Sequence, residues 1–304
     1  MKKYILLVLA IIASIYVFEN FDKKETVIPD EAIRFRVIAN SNTVYDQNIK
    51  IQVRNVIQNK IFELLNYLEE PVSTDIVEKY KKEILALEEG KPLQYVQGYV
   101  NFYGEKFYIN ENVLIPRFET EELVENTIAY AKKYFTQPVD IIDLGCGSGV
   151  IGLTLEKKLS TNSVDLVDIS KDALTVTENN KNILKSSANL IQNDFLQGIN
   201  KKYDIIISNP PYIKTNEEIE SIVKNNEPHL ALYAGEDGLD CYKKILKEID
   251  KNLKEKAIMA FEIGYTQGNE IELLAKEYLS NIKVEIKKDL SGKDRILFIF
   301  KNIE

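Results

Sequence analysis

Val139-Asp140-Ile141-Ile142-Asp143-Leu144 runs without a break into Gly145-Cys146-Gly147-Ser148-Gly149, and Val150-Ile151-Gly152-Leu153 follows at once. The β-branched run reads as a buried strand, the alternating glycines as a tight loop, and the apolar residues after them as the start of a helix. Few folds place strand, glycine loop and helix in immediate succession, and the unit is the first turn of a nucleotide-type α/β sheet. The spacing also discriminates between ligands. A dinucleotide fingerprint would put its third glycine at position 150, where this chain has Val150. Gly145, Gly147 and Gly149 suit a loop whose backbone lies close against a more compact ligand.

Two further strand ends add acids. Val164-Asp165-Leu166-Val167-Asp168 ends about 20 residues on, which places Asp168 to accept both hydroxyls of a ribose. Leu190 to Phe195 ends a third strand, where Asp194 can take an adenine amino group and Phe195 can cover the ring. Asp168, beside Ser170, also admits a reading as a turn or helix-cap residue. Taken with Asp143, Cys146 and Ser148 of the loop segment, these positions describe S-adenosylmethionine better than a nicotinamide dinucleotide.

A fourth strand, Tyr203 to Ser208, stops at Asn209-Pro210-Pro211-Tyr212. Ligands of open α/β sheets bind at carboxyl ends of strands. The Asn209 side-chain oxygen and the Pro210 carbonyl can both accept from an NH2 group. The paired prolines stiffen the loop, and Tyr212 offers a flat face. Such a loop suits methyl transfer to a planar, weakly basic nitrogen. An ordinary strand-ending turn is the alternative, since Asn-Pro commonly starts one.

The chain has 304 residues, 45% of them hydrophobic, enough for one large domain and a smaller one. Its net charge of −8 argues against a nucleic-acid grip and favours a protein or small-molecule substrate. Cys146 and Cys241 lack metal-ligand spacing and read as reduced thiols of a cytosolic-type fold. His229 is the single histidine, so no metal site or Ser-His-Asp triad is expected, and its ring reads as packed or at the surface. Glu119 and Glu121 open a helix, where acids are favoured in any case.

The amino terminus is of another kind. Met1-Lys2-Lys3 precedes the apolar stretch 4–18, a signal-anchor-like segment over 1–22 that is expected to stay uncleaved. An inserted anchor with Lys2 and Lys3 held inside would carry the rest of the chain outward. Helices are expected from Asp46 and from Asp75, the second ending at Gly90 and Pro92, and a β-hairpin linker over 99–115, turned at Gly104.

Two resemblances follow. "IRFRVIANSNT" and "DQNIKIQVRNVI", behind the apolar leader, resemble the start of stage II sporulation protein R, so 23–62 is taken as a fragment of that kind with no activity carried over. From about residue 65 onward the chain is similar to the release factor glutamine methyltransferase family. "PLQYVQG", "VLIPRFETEELVE", "DLGCGSGVIGL", "VDLVDIS", "NPPY", "EPHLALYAGEDGL" and "SGKDRILFIF" carry the likeness, in that order. It implies a class I S-adenosylmethionine-dependent methyltransferase, an α/β protein with a Rossmann-like seven-stranded sheet and an antiparallel end hairpin, over 116–304. A helical substrate-docking module is implied over 63–98. The implied substrate is the glutamine of the Gly-Gly-Gln loop of peptide chain release factors, methylated in the cytoplasm on its side-chain nitrogen. Asn209, Pro210, Pro211 and Tyr212 would then be the catalytic loop, with Asn209 also lying against the cofactor. Phe118 departs from the family pattern, which has a second proline after the arginine. Alternatives are methylation of a ribosomal-protein glutamine or a nucleic-acid amino group, or a membrane-tethered sporulation signal carrying an inactive methyltransferase passenger.

Overall fold

The structure, a computed structural model, describes residues 74–303. From residue 80 onward the described residues form one compact unit. The segments 1–22 and 23–62, with the anchor expected at 4–18 and the helix from Asp46, lie outside the described residues. Among the described residues no helix is long and apolar enough to cross a membrane.

Helix α1 (Thr74–Glu88) stops just before Gly90, whose φ of +90° a side chain would resist. A short helix α2 (Leu93–Gln97) ends on left-handed Gly98 and leads into the hairpin β1 (Tyr99–Phe102) and β2 (Glu105–Tyr108). Its turn residues, Tyr103 and Gly104, both have positive φ, the geometry that matches a two-residue turn to the strand twist. Phe102 and Phe107 are buried edge to face beneath it.

Helix α3 (Phe118–Tyr134) then buries Leu123, Val124, Ile128 and Ala131, which fall on one face at helical spacing. The alternating remainder comprises β3 (Val139–Leu144), α4 (Val150–Lys158), β4 (Thr161–Asp168), α5 (Lys171–Leu184), β5 (Asn189–Gln192) and β6 (Tyr203–Ser208). It continues through α6 (Ser221–Asn226), α7 (Asp240–Ile249), β7 (Leu253–Glu262), α8 (Gly268–Tyr278), β8 (Ile282–Lys288) and β9 (Asp294–Lys301). Seven strands form one sheet in the order β5-β4-β3-β6-β7-β9-β8, with β9 antiparallel to both neighbours.

Helices on both faces explain why isoleucines, valines and leucines crowd the central strands on both sides. Ile141 and Ile205 join Leu123, Val124 and Ile151 on one side of the sheet. Ile142 and Ile206 join Tyr242, Ile245 and Ile271 on the other. Each such side chain contributes about 1.5–3 kcal/mol on burial. The β8–β9 turn is held by Asp289, whose carboxylate accepts from the Ser291 and Lys293 backbone N–H groups and from Arg295 Nε.

For function the decisive feature is register. Strands β3 and β6 are parallel neighbours, with Leu144 opposite Ser208, so Gly145 and Asn209 leave the sheet side by side at its carboxyl edge. Ser208 Oγ donates to Leu144 O at 2.6 Å across that pair. On the other side Leu144 pairs with Val167, and Asp168 with Gln192, which brings the ends of β4 and β5 to the same edge.

Candidate active site

Gly145, Gly147 and Gly149 all have positive φ, at +70°, +55° and +80°. A Cβ added at Gly147 would meet nothing within 4 Å, and one at Gly145 only the Phe195 ring, at 3.7 Å. The loop therefore presents bare backbone to open space beside an aromatic face. Behind it the packing is tight. Gly152 lets α4 lie on the sheet, since a Cβ there would fall 2.2 Å from Leu166 Cδ2.

Asp143 Oδ2 accepts from the Gly152 N–H at 2.9 Å, whereas its Oδ1 is buried without a partner. Burial lifts this carboxyl to about 7 against the opposing pull of the Gly152 N–H, and the nearby Asp168 charge adds to the rise. Asp168 accepts from Gly147 N–H at 2.9 Å and from Ser170 N–H at 2.8 Å, and burial raises its carboxyl as well. Ser170, not Asp168, caps α5 by accepting from Ala173 N–H, while the Asp168–Ser170 contact is a turn of the alternative's kind. Asp168 also ties the glycine loop.

Cys146 is buried, with its sulfur 3.7 Å from Thr177 Oγ1 and its thiol pushed up by burial, so its side chain faces protein and only its backbone lies in the loop. Ser148 is likewise buried, its carbonyl accepting from Asn180 Nδ2 at 2.9 Å. Phe195 sits in a left-handed conformation, φ +49°, with its carbonyl accepting from Asn193 Nδ2. Asp194 lies nearer the surface, where Oδ2 accepts from Lys244 Nζ at 2.8 Å. Open glycine backbone, an aromatic ring, carboxylates at two strand ends and an unpartnered buried acceptor on Asp143 make a site that fits an adenosyl cofactor with a compact tail.

Across the edge stands the second loop. Asn209 Nδ2 donates to Thr120 Oγ1 at 3.2 Å, and Thr120 Oγ1 donates to Glu262 Oε2 at 2.6 Å. Tyr212 Oη reaches toward Glu262 Oε1 at 3.4 Å. Burial lifts Glu262 to about 7, countered by the Thr120 hydroxyl and by Arg295, and burial also raises the Tyr212 hydroxyl. Pro210 is buried and Pro211 half-buried. Gln267 Nε2 donates to the Tyr212 carbonyl at 3.0 Å and to Gly238 O at 3.2 Å, pinning the loop from below. Alongside, Arg117 pairs with buried Glu227 at 2.6 Å, and Glu227 also accepts from the Ile115 N–H.

Thr120, Glu262 and Gln267 escape sequence reasoning. Thr120 sits among the helix-opening acids Glu119 and Glu121, and Glu262 ends a strand like any other acid; nothing local marks either one.

A seven-stranded sheet with this order, and a glycine loop after β3 that opens at the carboxyl edge, define a class I methyltransferase. Residues 123–231 match the Methyltransferase small domain family. The release factor glutamine methyltransferase of Bacillus subtilis (strain 168) is 39% identical over 248 residues, covering 79% of this chain and 86% of that one. The enzyme of the same name from Lactococcus lactis subsp. lactis (strain IL1403) is 37% identical, covering 77% and 87%. The chain belongs to the release factor glutamine methyltransferase family, whose reactions draw their methyl group from S-adenosylmethionine. Among solved structures, a ribosomal protein L11 methylase from Lactobacillus delbrueckii subsp. bulgaricus aligns at 22% identity with a TM-score of 0.46, covering 61% of this chain and 81% of its own. Residues 29–100 match Stage II sporulation protein R, a span that continues past the 23–62 expected from the sequence and into β1.

Proposed function

We propose that this enzyme methylates the side-chain amide nitrogen of the glutamine in the Gly-Gly-Gln loop of peptide chain release factors, with Asn209, Pro210, Pro211 and Tyr212 as the loop that receives it. One observation carries this reading: Asn209 Nδ2 is committed to Thr120, so its Oδ1, to which no described residue donates, is left to accept from a substrate NH2 group. The Pro210 carbonyl is the natural second acceptor, and the Tyr212 ring packs against the flat carboxamide.

S-adenosylmethionine supplies a methyl group on a cationic sulfur, reactive enough that alignment is most of what the protein must add. The backbone of Gly145 to Gly149, with Asp143, Cys146 and Ser148 in that segment, would cradle the tail, Asp168 the ribose, and Asp194 with Phe195 the adenine. The shared edge of β3 and β6 holds the two loops one strand apart, which favours an in-line approach of nitrogen to methyl. The net charge of −8 weighs against a nucleic-acid substrate. The reaction needs no membrane attachment through residues 4–18.

Two variants test the division of labour. Asn209→Ala is expected to abolish methylation with S-adenosylmethionine affinity within about twofold of the parent, whereas Asp168→Ala is expected to weaken cofactor binding by ~10-fold or more. Normal turnover by Asn209→Ala would refute the substrate assignment.

A further inference from the structure

We propose that Thr120 and Glu262 are specificity-determining positioning residues, which lock the Asn209 amide with its oxygen toward the substrate and so select a carboxamide over a carboxylate. The inference rests on the reading of Asn209 as the acceptor of the substrate NH2.

Thr120 has one hydroxyl hydrogen. Its nearest partner is Glu262 Oε2 at 2.6 Å, which accepts wherever Glu262 is ionised, above about pH 7, so in that range the hydrogen is spent there. What remains on Thr120 Oγ1 is lone pairs. Asn209, 3.2 Å away on the other side, can satisfy them only with its NH2. The amide oxygen must then take the opposite branch. The chain thus runs in one direction, from Asn209 through Thr120 to Glu262, with the carboxylate as its sink.

Burial makes that direction binding. Thr120 is 2% exposed and Glu262 1%, so no solvent competes for either group. The Tyr212 hydroxyl faces the other oxygen of the Glu262 carboxyl, Tyr242 Oη donates to its backbone carbonyl at 2.6 Å, and the charge of Glu119 opposes its ionisation. Arg295, from β9, lends positive charge nearby while keeping its own bonds to Asp289 and the Ile263 carbonyl.

The consequence concerns discrimination. With Oδ1 fixed outward, a glutamine amide meets acceptor with donor. A glutamate in its place sets acceptor against acceptor, which a desolvated site penalises heavily. Were Asn209 free to turn over, its NH2 could face the substrate instead, and the glutamate would be welcomed.

Binding of purified release factor, and of its Gly-Gly-Gln variant carrying glutamate for glutamine, measured with S-adenosylhomocysteine present to prevent turnover, tests this. Thr120→Val is expected to lower the preference for glutamine over glutamate by ~10-fold or more, with S-adenosylhomocysteine affinity unchanged. Thr120→Ser, which keeps the hydroxyl, is expected to preserve it. Thr120→Ala reads the same loss if the valine variant does not fold. A folded Thr120→Val or Thr120→Ala enzyme that keeps the parent preference, or a Thr120→Ser enzyme that loses it, would overturn the inference. Asn209→Ala separates this from the underlying reading. If that variant binds both proteins as the parent does, the role of Asn209 falls; if it loses glutamine binding while Thr120→Val keeps its preference, only the lock falls.

Discussion

Asp168 shows how a side chain singled out by its spacing can hold contacts that spacing does not announce. As a strand-ending acid after a glycine loop it is legible from spacing, because the loop, the strand and the acid are neighbours along the chain. Its grip on the Gly147 N–H is not legible, yet that bond means Asp168 shapes the loop, in addition to the ribose contact proposed for it. Asp168→Asn is therefore expected to weaken S-adenosylmethionine binding by ~10-fold or more, measured calorimetrically, because an NH2 facing the Gly147 N–H leaves one donor unpaired. Asn209 was likewise visible in its tetrapeptide. Thr120 and Glu262 were not, being joined to each other across 142 positions and to Asn209 across 89, distances over which no local pattern survives. His229 conforms to the bland expectation, with Nε2 against the Lys224 carbonyl at the surface and its ring edge-on to Tyr233.

Helices and strands were legible where periodicity and punctuation agree. Strand β3, the glycine loop and α4 occupy the residues that their pattern predicts, and the turn at Gly104 is where the hairpin reverses. Strand β7 begins at Leu253, which is buried opposite Tyr203 and extends the ladder. Two substitutions test the element-level reasoning. Gly152→Ala would force a Cβ into Leu166 and Asp143, and chemical denaturation is expected to show a loss of about 1–3 kcal/mol. Phe118→Pro should do the reverse. Phe118 is the first residue of α3, its side chain is 36% exposed, and Arg117 before it is already extended at φ −95°, ψ 158°. A gain of about 0.5–1 kcal/mol is expected, from an unfolded chain with fewer conformations to lose.

For the whole molecule, two buried carboxyls link stability to pH. Asp143 and Glu262 are both lifted to about 7 in the folded chain, mainly by burial. A raised carboxyl favours folding fully below its unfolded value, and that contribution is lost as pH rises, because the unfolded chain sheds the proton first. Unfolding free energy is therefore expected to fall between about pH 4 and about pH 7. Asp143→Asn should remove its share, so the variant gains on the parent by on the order of a few kcal/mol as pH rises through that window. Urea unfolding at a series of pH values measures this, and parallel curves for parent and variant would refute it. The central proposition is that β3 and β6 bring a methyl donor and a glutamine amide to one edge of the sheet. Transfer of labelled methyl from S-adenosylmethionine to purified release factor, mapped by peptide, tests it most directly. Label confined to the glutamine of the Gly-Gly-Gln loop, and absent from a release factor with that glutamine replaced by alanine, is the expected result. Equal labelling of the two release factors, or none of either by an enzyme that binds S-adenosylmethionine, would contradict it.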